Sequence, residues 1–193
     1  ETPLYHKSKI LFGYDTAKKS MAENKSVVVV EGQMDLCMSY QAGVHNTIAV
    51  SGTAFTDEHI HIVKRFCDTV VLSFDTDDAG QNALKKTALL CLLGGLDVYV
   101  VGDFGLNQSE GLVDRTDSEK KSVLGPKDPA DLIKDDPKKW LHAIEKKKHV
   151  VEVLTNHIIT STTDERERGK RIVSEVLQFV RAIQSPIDRA HFI

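Results

Sequence analysis

The sequence has few cysteines, no long apolar run and no export signal. Its three cysteines (Cys37, Cys67 and Cys91) form no Cys-x-x-Cys pair, so neither a zinc site nor a disulfide framework is indicated. We expect three reduced thiols in the core of a cytoplasmic protein. No apolar stretch approaches the roughly 18 residues of a membrane span, which predicts no membrane contact. The chain has no basic-then-apolar leader and begins at Glu1 rather than Met, which suggests a fragment of a longer protein.

A basic excess is also missing. Lys and Arg number 25 against 28 Asp and Glu, for a net charge of −3, whereas a stand-alone nucleic-acid binder usually carries a clear positive excess. Phosphate contacts, if the protein makes them, must therefore come from local lysine clusters or from parts outside this sequence. The 193 residues, 41% of them hydrophobic, are enough for one domain with a small appendage.

What the sequence does contain is an alternation of strand-like and helix-like segments. The four valines at 27–30 predict a buried central strand of a parallel sheet. Apolar runs and amphipathic spacing predict strands at 27–31, 47–50, 69–74 and 96–101, and helices at 8–23, 34–41, from 56, and 78–93. This order indicates an α/β fold with right-handed crossovers and a mainly parallel sheet flanked by helices.

The character of the sequence changes after Val101. Residues 102–127 are polar and aperiodic, which predicts a long surface loop. A short helix is expected at 129–135, and two longer ones at 137–160 and 164–183 should pack as a hairpin. We therefore expect three parts, listed here as a lead-in segment with its helix (1–26), an α/β domain that contains the polar loop (27–135) and a small helical subdomain (136–193).

Acidic residues follow two of the predicted strands and the polar loop. They are Glu31 and Asp35, then Asp75 and Asp77, then Asp128 and Asp131. Because the carboxyl ends of parallel strands meet at one edge of the sheet, we expect the first four to lie close together. Divalent ions such as Mg²⁺ take oxygen ligands, and paired ions can stabilise displacement at phosphorus. The neighbouring Asp78 is expected to cap the helix that starts there.

These motifs resemble a known family. The sequence Glu31-Gly32-Gln33-Met34-Asp35, with Asp75-Thr76-Asp77-Asp78-Ala79-Gly80 later, resembles the Toprim fold, and within it the bacterial DnaG-type primases. Supporting segments are 1–9, 51–56, 126–129 and 186–193, so the resemblance covers nearly the whole chain. Two departures stand out. Gln33 replaces a usual aromatic residue, and Asp131 is displaced by one position from the expected second acid.

The resemblance implies a catalytic-core fragment of a DNA primase, a DNA-directed RNA polymerase that makes short RNA primers on single-stranded DNA for replication. Glu31 would assist proton transfer or coordinate metal, and Asp75 and Asp77 would hold Mg²⁺ or Mn²⁺. Asp128 and Asp35 would complete the site. The substrates would be ribonucleoside triphosphates, and the replicative helicase would bind through a domain that is absent from this chain. The enzyme would act in the bacterial cytoplasm at the replication fork.

Other interpretations stay open at this point. Lys85 and Lys86 would meet nucleotide phosphates or form a solvated helix face. Another Toprim enzyme, a nuclease or a topoisomerase cleavage domain, is one alternative, although no tyrosine sits in a motif that would support topoisomerase chemistry. A non-catalytic regulator that binds a magnesium–nucleotide complex is the other. His59 and His61 are expected at the surface.

Overall fold

The computed structural model describes residues 2, 6–52, 54–75, 77–101 and 129–193. Its sheet has the strand order β2-β1-β3-β4-β5. The strands are β1 (Ser26–Val30), β2 (Thr47–Ala49), β3 (Thr69–Ser73), β4 (Asp97–Val100) and β5 (Lys148–His149). The first four are parallel and β5 is antiparallel to β4. The prediction of a mainly parallel sheet flanked by helices is confirmed.

The helices lie before, between and after the strands. They are α1 (Tyr14–Asn24), α2 (Gln33–Gln41), α3 (Asp57–Val63), α4 (Asp78–Leu93), α5 (Pro129–Asp135), α6 (Pro137–Glu145), α7 (Val150–Ser161), α8 (Glu165–Arg171), α9 (Leu177–Ala182) and α10 (Pro186–Ala190). A 3₁₀ turn spans Lys7–Lys9, and one π-helical turn (Ile172–Val176) joins α8 to α9. Within the described ranges, no helix has both the length and the apolar character to cross a membrane.

The valines of β1 are buried on both faces of the sheet, as the uninterrupted apolar run predicts. Side chains alternate between faces along a strand, so Val27 and Val29 join one apolar cluster, and Val28 and Val30 join the other. The second cluster contains Trp140 of α6, which is fully buried. Its indole N–H donates to Ser39 Oγ of α2 at 3.0 Å, which fixes α6 against the sheet-flanking layer.

The first helix begins later than predicted, at Tyr14 rather than near residue 8. Phe12 forms an antiparallel bridge with Ala49, and each residue donates its backbone N–H to the other's carbonyl oxygen at 3.0 Å. The extended backbone at Phe12 is incompatible with a helix. Gly13 then turns the chain into α1 with a φ of 81°, a conformation that glycine adopts without strain.

The predicted continuous helix over 137–160 is wrong. The chain leaves α6 after Glu145, adds β5 to the edge of β4, and starts α7 at Val150. Pairing with β5 satisfies backbone groups that the edge of β4 would otherwise leave open. His149 then caps α7, because its Nδ1 accepts a hydrogen bond from the Val151 N–H at 3.2 Å.

The segment predicted as a helix over 164–183 is helical from Glu165 to Ala182, with the π turn in its middle. Leu154 of α7 and Phe179 of α9 belong to the same apolar cluster as Val27 of β1. The C-terminal helices thus share their core with the sheet, and the boundary between an α/β domain and a helical subdomain stays a prediction. The polar loop 102–127 lies outside the described residues.

Two predictions about individual side chains need correction. His59, expected at the surface, is fully buried, whereas His61 is exposed as expected. Cys37, expected in the core with Cys67 and Cys91, is exposed while the other two are buried. Burial raises the pKa of both core thiols to about 12, so they remain protonated near neutral pH.

Candidate active site

Glu31 and Asp75 meet where β1 and β3 end. These strands are neighbours, with Val30 paired to Ser73, so the residues that follow them emerge at the same edge of the sheet. One carboxylate oxygen of Glu31 (Oε1) accepts a hydrogen bond from the backbone N–H of Asp75 at 3.0 Å. Both residues are partly exposed. The structure therefore brings together the two strand-end acids that the sequence placed at one edge.

Gly80, in the first turn of α4, lies against this pair. A Cβ atom at this position would come within 2.3 Å of the Asp75 carbonyl oxygen and 3.0 Å of Glu31 Oε1. A backbone oxygen has little room to move, so a side chain here would displace the strand end or the helix. The glycine of the Asp-x-Asp-x-x-Gly motif is thus explained by close packing of α4 on the candidate site.

Asp77 lies at the start of α4, and its backbone is extended. Its Oδ1 accepts a hydrogen bond from the Gly80 N–H at 2.7 Å, so Asp77 is the N-cap of α4. The prediction that Asp78 caps this helix is wrong, because Asp78 is the first residue inside it. The cap holds an exposed carboxylate at the positive end of the helix dipole, next to Asp75 in the chain.

Asp35 is placed by a different set of contacts. It is buried, with 8% of its surface exposed. Its Oδ2 accepts the Gly32 N–H at 3.0 Å, and its Oδ1 accepts the Ala130 N–H at 3.3 Å. The second bond ties the start of α5 to the start of α2, so the chain after the polar loop does return to this edge of the sheet. Asp131 is exposed on α5, and Asp128 lies outside the described residues.

Ser51 is a feature that the sequence analysis did not assign to the site. Its N–H donates to the Glu31 carbonyl oxygen at 3.0 Å, and its φ of 54° is left-handed, as is that of Gly52 at 76°. Its Oγ is buried and has no hydrogen-bond partner among the described residues. A strained non-glycine residue beside a cluster of acids is typical of functional sites. The sequence signals for it are the Ser-Gly pair after β2 and the resemblance of residues 51–56 to a primase segment.

The oxygen donors at this edge of the sheet fit a divalent ion for which the protein supplies only part of the coordination shell. Within the described part of the chain, no group of three or more His, Cys, Asp or Glu side chains is arranged to hold a metal. Magnesium commonly uses only one or two carboxylates and completes its shell with water and substrate phosphates. Glu31, Asp75 and Asp77 offer oxygen donors only, which suits Mg²⁺ or Mn²⁺ bound in that open manner.

Lys85 and Lys86 lie farther along α4. They are about two turns beyond Asp77, or roughly 12 Å along the helix axis. Both line a cavity together with Leu154 of α7 and Phe179 of α9. Contact between these lysines and a nucleotide phosphate at the strand ends stays a prediction.

Comparison with known proteins shows a Toprim domain and similarity to DNA primases. Residues 25–102 match the Toprim domain. The DNA primase of Borreliella burgdorferi is 34% identical over 113 residues, which are 58% of this chain and 22% of that protein. The Staphylococcus aureus DNA primase is 40% identical over 101 residues, which are 52% of this chain and 17% of that protein. The chain thus carries a Toprim domain and is similar in sequence to bacterial DNA primases. It spans about a fifth of the length of these relatives.

Solved structures extend the match to the whole of this chain. The zinc-binding and RNA polymerase domains of the Aquifex aeolicus primase match 100% of the chain over 41% of their own length, with a TM-score of 0.73 and 24% identity, which shows a shared fold. The RNA polymerase domain of Mycobacterium tuberculosis DnaG was solved with a double-stranded DNA oligomer that has a 6-nucleotide overhang. It matches 100% of the chain over 56% of its length, with a TM-score of 0.67 and 26% identity.

Proposed function

We propose that this segment carries the nucleotidyl-transfer site of a DNA primase, a DNA-directed RNA polymerase that synthesises short RNA primers on single-stranded DNA. The observation that carries the proposal is the hydrogen bond between Glu31 and Asp75, which joins two acidic strand ends at the edge of the sheet. The Borreliella burgdorferi and Staphylococcus aureus relatives of this chain are DNA primases. This favours primer synthesis over the nuclease, topoisomerase and regulator alternatives.

Glu31, Asp75 and Asp77 are the residues to which we assign the chemistry. Glu31 holds the backbone of Asp75 in place and presents a carboxylate that can accept the proton of an attacking hydroxyl. Asp75 and Asp77 would hold the metal, and the cap that Asp77 forms on α4 fixes its carboxylate before substrate arrives. When bound, Mg²⁺ or Mn²⁺ would neutralise the charge that develops on the triphosphate oxygens of the incoming ribonucleotide.

Asp35 and Asp128 are proposed as supporting residues. Asp35 accepts two backbone N–H groups, and carboxylates near such a site bind Mg²⁺ directly or through its bound waters. Its first task is to hold α5 against α2, which delivers the chain that follows residue 128 to the site. Lys85 and Lys86 are assigned to nucleotide phosphate only as a prediction, since both line the cavity beside α7 and α9.

The partners of the whole protein are part of the proposal. The Mycobacterium tuberculosis domain was solved with a double-stranded DNA oligomer that has a 6-nucleotide overhang, and a DnaG catalytic domain of the same fold was solved with single-stranded DNA. Both support a DNA template, which we take to be single-stranded. Ribonucleoside triphosphates would be the substrates, and the replicative helicase would dock on a domain beyond this chain. The whole enzyme would work at the replication fork in the bacterial cytoplasm.

The first test is metal binding by the segment itself. Mn²⁺ is titrated by calorimetry into the native chain and into a variant with Asp75→Asn and Asp77→Asn, which keep side-chain shape and the helix cap. The matched control carries Glu165→Gln and Glu167→Gln, two exposed acids of α8. We expect heat of binding for the native chain and the control, and none for the double Asn variant. Undiminished binding by the double Asn variant would remove the assigned site.

The second test concerns catalysis. Template-directed incorporation of ribonucleotides is measured in the longer protein that contains this segment, with the same two pairs of substitutions. We expect the strand-end pair to abolish primer synthesis and the α8 pair to leave it unchanged. Primers made at the native rate by the strand-end pair would exclude a catalytic role for Asp75 and Asp77.

A further inference from the structure

A cavity of about 260 Å³ lies between α4, α7 and the π turn with the start of α9. Its floor is apolar and is formed by Leu89, Leu154, Ile158, Val176 and Phe179. The last four of these side chains are 5% exposed or less, so the floor is part of the packed core rather than a fluctuating surface. This volume has room for a rigid body of about two fused rings. The cavity is separate from the acidic strand ends.

The mouth of the cavity carries an excess of positive charge. Lys85 and Lys86 both line it, and neither forms an ion pair with another described residue. Glu175 is the one acid in the lining. Its carboxylate is already held by Arg171 through contacts of 2.7 Å and 3.4 Å. The hydrogen bond from Arg171 is the main cause that lowers the pKa of the Glu175 carboxylate, and the charge of Lys85 helps to lower it further. The lining therefore offers a ligand two lysines against one carboxylate that is already paired.

The π turn is what places polar atoms beside this apolar floor. Ser174, Glu175 and Val176 of the turn all line the cavity. A π-helical turn shifts the following side chains out of the α-helical register, and such turns are frequent at functional sites. His157 of α7 adds a ring whose pKa is lowered by burial, so it is uncharged near neutral pH. The lining thus combines a dry floor, a cationic mouth and a locally widened helix.

We propose that this cavity binds an amphipathic organic anion, with its apolar body on the floor and its anionic group at Lys85 and Lys86. The charge complementarity of the mouth selects an anion over a cation, because the one lining carboxylate is paired. The apolar floor excludes water and holds a hydrophobic body, which inorganic phosphate lacks. The site uses none of the carboxylates of the proposed primase chemistry and shares with it only Lys85 and Lys86, which are also predicted to meet nucleotide phosphate.

The test uses two probes that share a phenyl-naphthyl-amine body and differ in one sulfonate group. Anilinonaphthalene sulfonate is an amphipathic anion, and phenylnaphthylamine is its uncharged analogue. Their fluorescence is titrated on the native chain, on Lys85→Glu with Lys86→Glu, and on a control with Lys138→Glu and Lys146→Glu, two exposed lysines of α6 and its end. Both double variants change the net charge equally. A fourth variant, Ser174→Trp, places a bulky side chain at the rim.

The expected result is selective. The sulfonate should bind the Lys85/Lys86 variant about tenfold more weakly, because charge-assisted contacts are lost. It should bind the Lys138/Lys146 control with native affinity. The uncharged probe should bind both double lysine variants with native affinity. Ser174→Trp should lower the affinity for both probes. Equal sulfonate affinity across all variants, or equal losses in both lysine pairs, would overturn the proposal. Because loosely packed states also bind this dye, each variant must first show native circular dichroism and cooperative unfolding.

Discussion

The side chain of Glu31 accepts a hydrogen bond from the backbone of Asp75 at 3.0 Å, across the carboxyl ends of two neighbouring parallel strands. The bond uses one oxygen of the carboxylate to hold the segment that carries the second acid. Glu31 therefore has a structural task that is independent of charge, and a proposed chemical task that requires charge. Substitution can separate the two.

Glu31→Gln should preserve the first task and remove the second. The amide oxygen of Gln can still accept the Asp75 N–H, so the free energy of unfolding in urea should change by less than about 1 kcal/mol. Template-directed primer synthesis by the longer protein should be lost, because an amide cannot accept the proton of the attacking hydroxyl. Glu31→Ala removes the acceptor as well and should cost about 1–2 kcal/mol more. Equal destabilisation by both substitutions would show that charge, not the hydrogen bond, holds Asp75.

Gly80→Ala should disturb the contact between the first turn of α4 and the backbone of Asp75. The added Cβ would lie 2.3 Å from the Asp75 carbonyl oxygen, and relief requires a shift of backbone, at a cost of about 1–3 kcal/mol. Gly169→Ala in α8 is the matched control, because nothing lies within 4 Å of its Cβ position. That change should stabilise by up to about 1 kcal/mol. Thermal unfolding of both variants checks the opposite signs, and a stabilised Gly80→Ala would contradict the close packing.

Asp77 is both the N-cap of α4 and a proposed metal ligand, and two substitutions can separate these roles. Asp77→Asn keeps the cap on α4 and should leave stability nearly unchanged while weakening Mn²⁺ binding. Asp77→Ala should weaken binding and also cost about 1 kcal/mol of stability. Asp164→Ala is the control, since Asp164 caps α8 through the Glu167 N–H at 2.6 Å. It should lose stability without any change in Mn²⁺ affinity. A native affinity in Asp77→Asn would leave Asp77 as a cap only.

The parts of the fold that sequence predicts well are those whose signals are local. Helix α4 runs from Asp78 to Leu93 as predicted, because amphipathic spacing and the double glycine after it specify both ends. Helix α5 matches for the same reason, with its proline at the start. Strand β5 has only two residues, and its partner β4 lies about 50 residues earlier. No local pattern encodes such a pairing, and the apolar periodicity on each side conceals the break.

The candidate site also has one part that local sequence signals predict and one part that they do not. Acids at the ends of apolar strands are visible in the sequence, so Glu31, Asp75 and Asp77 are found without coordinates. The bond between Asp35 and the Ala130 N–H is not, because it depends on α5 returning across the sheet edge. The burial of His59 is also hidden from the sequence, because it depends on a contact between distant segments. The lead-in segment covers its helix, where Thr56 Oγ1 donates to the Ser8 carbonyl oxygen at 2.7 Å.

The buried His59 should make stability depend on pH. Burial is the main cause that lowers its pKa below the ordinary value of 6.5, so the unfolded chain binds this proton more readily than the folded one. The contribution is therefore fully present above the unfolded pKa and declines as the pH falls through and below it. His59→Asn keeps an oxygen that can replace Nδ1 as acceptor of the Thr56 N–H and should flatten the loss of stability between about pH 7.5 and 5.5. His61→Asn, at an exposed position of the same helix, should retain the native profile. Urea unfolding across this range decides the matter, and parallel profiles for native and His59→Asn chains would show that His59 does not set the pH dependence.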